Sequence, residues 1–313
     1  MTKRTTYTIA CLSGHGIAPE VMAEASRALA RVSGLHGFQI RETHPPFASE
    51  SRTQSGQALT PATRSATLGA QAVLVAVATN PALADVESEL DLRARMDRVV
   101  FGERGSIALL SPLTDSTLEW TLARGFDVAR SSRARVASVG GDDAWNAAFT
   151  REAARHDGVQ AEELTVKAAI HDLAFEPERF DVVVTPAPYA EALLGFLAHG
   201  AAPRVAASSR LAGSGPGVFA PAHGAAEDIA GQGVANPASM LLAAALMLGE
   251  GLGERRAAET LTNAVLDASA NGVRTPDLLT VGVGATTREF ADVVISHLPH
   301  AMTTAEFYRE AIA

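Results

Sequence analysis

Short apolar segments that suit buried strands alternate with amphipathic segments along nearly the whole chain. Thr6–Leu12 (TYTIACL) and Asp181–Thr185 (DVVVT) are typical of strands, whereas Pro19–Val32 carries apolar residues at helical spacing. Such alternation predicts an α/β fold in which helices cover the faces of a sheet. At 313 residues the chain is long enough for two α/β domains or one large one, and the alternation over its full length favours two domains with a cleft between them.

The stretch VFAPAHGAAEDIAGQGVANP, residues 218–237, interrupts this alternation. It is rich in Gly, Pro and Asn, so it can be neither a regular helix nor a regular strand. Asn236 is expected to be the N-cap and Pro237 the first residue of the next helix, whose positive end faces the loop. His223 and Asp228 bring binding chemistry, so the loop can fold around a ligand. The alternative is an ordinary surface loop.

Three motifs resemble one protein family. The string HGAAEDIAGQGVANP resembles the adenosine-binding loop of the β-decarboxylating dehydrogenases, the isopropylmalate and isocitrate dehydrogenase family. LSGHGIAPEV resembles that family's opening segment, and NGVRTPDL resembles a segment near its carboxyl terminus. The motifs occur in the family's order and span nearly the whole chain.

The resemblance implies an α/β, two-domain isopropylmalate dehydrogenase-like fold with a central cleft. Residues 1–104 plus 217–313 are expected to form a discontinuous first domain that binds the nucleotide. Residues 105–216 are expected to form the second, dimerisation domain, with a shortened arm. A homodimer through the apolar segment Ala190–Ala198 is implied in the same way.

The resemblance also implies that the loop binds NAD. The expected nucleotide contacts come from seven loop residues: His223, Gly224, Ala225, Ala226, Asp228, Ile229 and Asn236. Asp228 lies where NAD-using members place an aspartate that accepts hydrogen bonds from the adenosine ribose. A carboxylate there repels a 2′-phosphate, so NAD should be preferred over NADP. Ala225 and Glu227 replace the usual Ser and Pro, a change expected to weaken the site.

Arg93 and Arg104 fall where the family has two arginines that grip the carboxylates of the substrate. The planar fork of arginine suits bidentate carboxylate binding, so a small-molecule dicarboxylate is the expected ligand. The segment Glu87–Arg98 is expected to be a helix crowded with further arginines, so the alternative is that these side chains are simply solvated. Ser111 replaces a third substrate arginine.

The groups that carry oxidative decarboxylation in the family are replaced at the matching positions. Gly140 and Gly141 stand where the proton-transfer lysine belongs, and the shortened arm contains no tyrosine. The three metal-binding carboxylates become Lys167, Glu191 and Gly195. Since magnesium and manganese require several oxygen ligands, no divalent metal site is expected.

Three residues remain as candidates for chemistry in the cleft: Lys167, Glu191 and His15. Lys167, placed in a strand over residues 163–168, is expected to pair with Glu191 and to replace the positive charge of the metal. The alternative is a solvated lysine. His15 stands where the family has an aspartate between two glycines, and a turn role is favoured over that of a cleft acid or base.

The expected function is a degenerate family member that keeps the NAD-binding loop and binds a nucleotide or an acid. The alternative is an NAD-dependent oxidoreductase that acts on a 2-hydroxy dicarboxylate with altered, metal-independent chemistry. A metal-dependent decarboxylase is disfavoured because that mechanism requires the missing lysine, tyrosine and metal.

Composition excludes other classes of function. With a net charge of −9 and no long basic run, the chain is not expected to bind nucleic acid. Its longest apolar run, residues 239–248, is too short to span a membrane, so a cytoplasmic protein is expected. The single cysteine, Cys11, is expected to be a buried core thiol with no disulfide partner and no metal cluster around it.

Overall fold

The computed structural model describes residues 4–77, 82–101, 105–198, 204–279 and 283–299. Arg104 and the helix expected over residues 304–312 lie outside these ranges. Within them, every helix is either too short or too polar to cross a membrane.

Ten strands of the described residues form one continuous sheet. Their bounds are β1 Thr6–Leu12, β2 Gln39–Thr43, β3 Ala72–Val75, β4 Asp91–Phe101, β5 Gly105–Pro112, β6 Arg135–Val139, β7 Gln160–Leu164, β8 Val182–Val184, β9 Arg204–Ser214 and β10 Gly217–Pro221. The strand order is β2-β1-β3-β10-β9-β4-β5-β8-β6-β7. Pairing is antiparallel from β10 through β9 and β4 to β5, and parallel on both sides of this centre.

Helices fill the connections between the strands. Those of the described residues are α1 Ala18–His36, α2 Ala48–Ser55, α3 Pro61–Leu68, α4 Ala82–Glu87, α5 Leu118–Arg130, α6 Asp143–Ala153, α7 Val166–Phe175, α8 Ala187–Ala198, α9 Ala238–Leu246, α10 Arg255–Ala270 and α11 Thr287–His297. The predicted α/β class is therefore confirmed. The predicted domain boundaries stay a prediction. Strands β4 and β9 belong to different expected domains, and they pair with each other in the middle of the sheet.

The apolar residues of α9 explain its central position. Met240 to Ala245 are all at most 1 % exposed, because this helix packs on β9 and β10 beneath α1 and α10. A helix that is apolar all round must be covered on every side. It therefore holds the end of the 218–237 loop at a fixed place on the sheet.

The predicted helix over Glu87–Arg98 is wrong. Helix α4 ends at Glu87, and β4 begins at Asp91. Leu92, Ala94 and Met96 alternate with charged residues, which is the period of two that a strand requires. This alternation, followed by two valines, favours a strand over a helix.

Lys167 also lies on a different element from the one expected. Strand β7 ends at Leu164, and Thr165 caps α7 by accepting a hydrogen bond from the backbone of Ala168 (3.2 Å). Lys167 is thus the second residue of a helix rather than part of a strand. A similar shift affects α6: the sequence predicts Asp143 as its N-cap, but Asp142 accepts the hydrogen bond from the backbone N–H of Trp145 (2.8 Å).

Cys11 is buried in the core, as expected, at 1 % exposure. The expectation that no metal-ligating groups surround it is wrong, because Glu42 and His44 of the neighbouring chain segment lie beside its thiol. Burial, followed by the charge of Glu42, raises the pKa of the Cys11 thiol far above its ordinary value.

Candidate functional site

The loop between β10 and α9 borders a cavity of about 590 Å³, within the usual size of small-molecule and cofactor pockets. Four of the predicted loop residues line it: His223, Ala226, Ile229 and Asn236. Gly224 and Ala225 lie between His223 and Ala226 in the same loop. Arg274 and Asp277 of the NGVRTPDL motif also line the cavity, together with Arg204 at the start of β9.

The two glycine-containing motifs of the resemblance are bonded to each other. The backbone N–H of Ile17 donates to the carbonyl of Ala225 (2.8 Å), and that of Gly233 donates to the Glu20 carboxylate (3.0 Å). Gly16 has a φ of +67°, and a Cβ there would lie 2.0 Å from the Ala225 oxygen. Only glycine allows this close approach.

The end of the loop joins α9 to the NGVRTPDL motif. Asn236 donates its backbone N–H to Asp277 (3.0 Å), and its side-chain oxygen accepts from the N–H of Ala238 (2.9 Å). The helix begins at Ala238 with Pro237 as its N-cap, one residue later than predicted. Asn236 still satisfies a helix N–H, and Ala238 and Ser239 at the start of α9 line the cavity, so the positive end of α9 lies beside it.

His223 is held in one orientation. Its Nδ1 lies 3.0 Å from the carbonyl oxygen of Gly224, so Nδ1 donates and Nε2 carries the free lone pair in the neutral ring. Burial lowers the pKa of His223, which favours this neutral form. Nε2 is buried and has no hydrogen-bond partner among the described residues, so it can accept a hydrogen bond from a ligand.

Asp228 and His15 lie at the outer side of the loop. Asp228 is exposed in the short 3-10 turn Glu227–Ile229 and does not line the cavity. The Nε2 atom of His15 lies 3.2 Å from the Glu227 carboxylate, while Nδ1 is buried without a hydrogen-bond partner in the described chain. His15 thus connects the turn after β1 to the 218–237 loop.

A cluster of charged residues, Arg95, Asp97 and Glu191, forms on β4 and α8. We call it the Arg95 cluster. The Nε atom of Arg95 lies 2.8 Å from Asp97 Oδ2, and a terminal guanidinium nitrogen contacts Glu191. The Asp97 side chain is 2 % exposed, and neither oxygen has a well-aligned hydrogen bond within the described residues. Burial raises the pKa of Asp97, and the charge of Arg95 opposes this rise.

Neighbouring strands extend this charged surface. Arg95 lies between Ser111 of β5 and Arg210 of β9 in the sheet register. Arg210 in turn lies 3.1 Å from the Glu87 carboxylate. Burial raises the pKa of Glu87, and the positive charge of Arg210 opposes this rise. The surface therefore contains arginines that are already bound to carboxylates.

Arg93, a predicted substrate ligand, is bound to Asp91 at 3.0 Å and lies over the Trp120 ring at 5.9 Å. Its predicted partner Arg104 falls outside the described residues. The structure thus leaves their proposed joint role as a prediction.

The three positions that the resemblance assigns to metal carboxylates do not fit a hard dication. Lys167 is exposed and forms no ion pair within the described chain, so the predicted Lys167–Glu191 pair is wrong. Glu191 instead contacts Arg95, and Gly195 has no side chain to offer. A single exposed carboxylate already bound to a guanidinium is a poor site for Mg²⁺.

Asp97, Glu87 and Arg210 were not predicted from the sequence as site residues, and Arg95 was expected only to crowd the predicted helix. A signal was present: in a strand, residues 95 and 97 lie on one face, whereas the predicted helix separates them. Their partners on α8 and β9 have no local sequence signal, because Glu191 and Arg210 come about a hundred residues later.

Comparisons with known sequences point to one protein family. The model of the isocitrate/isopropylmalate dehydrogenase family matches residues 112–294, more than half of the chain. A 3-isopropylmalate dehydrogenase of Pseudoalteromonas translucida is 28 % identical over 361 aligned positions, covering 94 % of this chain and 99 % of that protein. The same enzyme of Streptococcus thermophilus is also 28 % identical and covers 95 % and 100 %.

Solved structures share the fold. A β-decarboxylating dehydrogenase of Thermococcus kodakarensis, in its apo form, superposes with a TM-score of 0.79 at 21 % identity, covering 93 % of this chain and 96 % of that one. The isocitrate dehydrogenase of Methylococcus capsulatus gives 0.76 at 20 % identity, covering 93 % and 99 %. The chain therefore belongs to the isocitrate/isopropylmalate dehydrogenase family.

Proposed function

We propose that this protein is a divergent isocitrate/isopropylmalate dehydrogenase homologue that binds NAD and has lost metal-dependent oxidative decarboxylation. The observation that carries the proposal is a contrast between two sites. The 590 Å³ cavity borders a backbone-anchored loop with unused polar atoms, whereas Glu191, the one carboxylate at the positions that the resemblance assigns to the metal, is engaged by Arg95.

Several features of the cavity fit a dinucleotide. The buried, unpartnered Nε2 of His223 can accept a hydrogen bond, and Arg204 and Arg274 add positive charge suited to phosphates. The positive end of α9 adds to this field. When bound, NAD supplies hydride transfer, while these residues hold and orient it.

The packing around Gly140 and Gly141 supports the loss of the proton-transfer lysine. A Cβ on Gly140 would lie 2.8 Å from Val166 and 2.9 Å from the Tyr189 ring, and one on Gly141 would lie 2.1 Å from the Trp145 ring. A side chain at either position would require these neighbours to move. We infer that the side chains of Val166, Tyr189 and Trp145 occupy the space that a lysine side chain would need.

A second candidate function is an NAD-dependent oxidoreductase with metal-independent chemistry. The raised pKa of Asp97 favours it, because a buried carboxyl beside an arginine can take or give a proton. NAD reduction by 2-hydroxy dicarboxylates in the presence of EDTA distinguishes the two. Turnover that Asp97→Asn abolishes supports the second function, and its absence supports the first.

We also propose that the protein is a homodimer. Helix α8 buries one face against the sheet and exposes apolar side chains on the other, with Tyr189 39 % and Phe196 46 % exposed. The apolar segment Ala190–Ala198 is part of this helix.

NAD is expected to bind at least about tenfold more tightly than NADP, equivalent to about 1.4 kcal/mol. The reason is electrostatic: the resemblance assigns Asp228 to the adenosine ribose, and its exposed carboxylate in the turn Glu227–Ile229 would repel a 2′-phosphate that binds there. Isothermal titration calorimetry with both nucleotides measures the ratio.

Two matched variants locate the effect. Asp228→Asn should bring the NAD and NADP affinities closer together, whereas Glu227→Gln removes the same charge one residue away and should change the ratio much less. Equal affinities in the wild type, or equal effects of the two variants, would contradict the assignment of selectivity to Asp228. Binding of neither nucleotide at millimolar concentration would refute the proposed nucleotide site.

Millimolar Mg²⁺ is expected to leave both the melting temperature and the NAD affinity unchanged. A ligand stabilises a protein only when it binds the folded state, and the remaining carboxylate, Glu191, is exposed and engaged by Arg95. Differential scanning fluorimetry in Mg²⁺ and in Na⁺ of equal ionic strength tests this. A specific rise of several degrees with Mg²⁺ would show that a hard-cation site persists.

A further inference from the structure

Three chemically different metal-ligating groups converge at the carboxyl end of β1, and none of them lines the cavity described above. They are the thiol of Cys11, the carboxylate of Glu42 and the imidazole of His44, and one ligand atom from each lies within 4.8 Å of the other two. Of these atoms, His44 Nε2 and Glu42 Oε2 are 2.9 Å apart. Within the described residues this is the only such group of three.

The sheet register creates this arrangement. Strands β1 and β2 run parallel with Ile9 opposite Glu42, so Cys11, two residues after Ile9, lies on the same face. Ser26 of α1 donates a hydrogen bond to Glu42 Oε2 (2.7 Å) and fixes this carboxylate. Such a supporting hydrogen bond orients a ligand in many metal sites.

The donor set is suited to zinc and similar ions rather than to magnesium. Thiolate and imidazole are the preferred ligands of Zn²⁺, and a tetrahedral site with Zn–S near 2.3 Å and Zn–N near 2.0–2.1 Å separates its ligand atoms by about 3.4–3.6 Å. The observed spacing reaches this value with a shift of about 1 Å. His44, with a side chain 51 % exposed, has the freedom to make it.

We propose that Cys11, Glu42 and His44 form a binding site for Zn²⁺ or a similar thiol-binding divalent ion, with a fourth position open to solvent. Binding releases the Cys11 proton to solvent and forms the metal–sulfur bond, with no change of oxidation state. The ion would connect the ends of β1 and β2 at the surface side of α1. The alternative is a core thiol that lies beside an unrelated Glu–His pair.

The single cysteine of the chain makes a direct test possible. Co²⁺ bound to a thiolate gives an intense charge-transfer absorption in the near ultraviolet, and in this protein it can come only from Cys11. Metal-free, untagged full-length protein titrated with Co²⁺ should develop this band with saturation at one ion per chain. Excess Zn²⁺ should then abolish it, since Zn²⁺ binds tetrahedral thiolate–imidazole sites more tightly than Co²⁺ does.

Surface variants test the other two ligands without disturbing the core. His44→Ala and Glu42→Gln should each weaken Co²⁺ binding at least tenfold, and Cys11→Ser should remove the band. His171→Ala is the matched control, because His171 is an exposed histidine that lies 3.1 Å from a neighbouring carboxylate but is remote from any cysteine. It should leave the titration unchanged.

A second measurement does not depend on cobalt. Zn²⁺ should raise the melting temperature of the wild type and of His171→Ala, and should raise that of His44→Ala and Glu42→Gln much less. The proposal is overturned by the absence of a cobalt–thiolate band up to millimolar Co²⁺, or by a band that persists unchanged in both surface variants. Because these outcomes do not involve NAD, they are independent of the proposed function.

Discussion

Gly16→Ala is expected to lower the free energy of unfolding by about 2–5 kcal/mol. A left-handed φ costs a non-glycine residue about 1–2 kcal/mol, and forcing a methyl group into packed surroundings costs about 1–3 kcal/mol more. The new Cβ would lie 2.0 Å from the carbonyl oxygen of Ala225, a backbone atom of the nucleotide loop. The loop must move away, and the hydrogen bond from Ile17 to Ala225 is lost.

Gly37→Ala is the matched control. Gly37 also has a left-handed φ, of +80°, but a Cβ there meets no atom within 4 Å. Gly37→Ala should therefore lower the free energy of unfolding by the backbone contribution alone, about 1–2 kcal/mol. Urea unfolding measures both variants, and NAD affinity should fall for Gly16→Ala alone. Equal losses of stability with unchanged nucleotide binding would show that contact between the two motifs is unimportant.

Arg95→Met is expected to lower the free energy of unfolding by about 3–5 kcal/mol at neutral pH. Removing one partner of a buried ion pair leaves the other charge uncompensated, and the Asp97 side chain is only 2 % exposed. The exposed pair of Arg64 and Glu89 provides the control: Arg64→Met should cost less than about 1 kcal/mol. Adding Asp97→Asn to Arg95→Met should restore most of the loss.

The loss should depend on pH in a defined direction. Burial holds the pKa of Asp97 above that of an unfolded aspartate, near 3.9, so protonation of Asp97 favours the folded state. This contribution is complete below the unfolded pKa and disappears as pH rises through the folded pKa. Arg95 offsets the resulting penalty, so the cost of Arg95→Met should grow from about pH 4 to pH 7. A loss that is independent of pH would exclude Asp97 as its source.

Local sequence patterns predicted much of the fold. Strand β1 has the predicted bounds, and Thr60 caps α3 by accepting a hydrogen bond from the backbone of Thr63. Both depend on residues within a few positions of each other. The helix expected over Glu87–Arg98 was wrong because that prediction overlooked the alternation of polar and apolar residues along β4.

Less of the candidate site than of the fold could be predicted from the sequence. The loop motif located the cavity, but the contribution of Arg204 depends on strand β9, which reaches the cavity only through the sheet order. Glu191 pairs with Arg95 rather than with Lys167 because of the face that α8 turns towards β4. A helix that began a few residues earlier or later would turn the Glu191 side chain in another direction. Likewise, only the parallel register of β1 and β2 brings Glu42 and His44 to Cys11.

The position of β3 in the sheet affects how the chain is made. One side of β3 pairs with β1, but the other side pairs with β10, which begins about 140 residues later in the sequence. At about 5–20 residues per second, a ribosome needs roughly 7–30 s to supply β10 after β3 has emerged. During that interval the apolar segment AVLV keeps an open strand edge, a form prone to pair with other chains. The nascent protein therefore depends on protection of this edge until its last strand is synthesised.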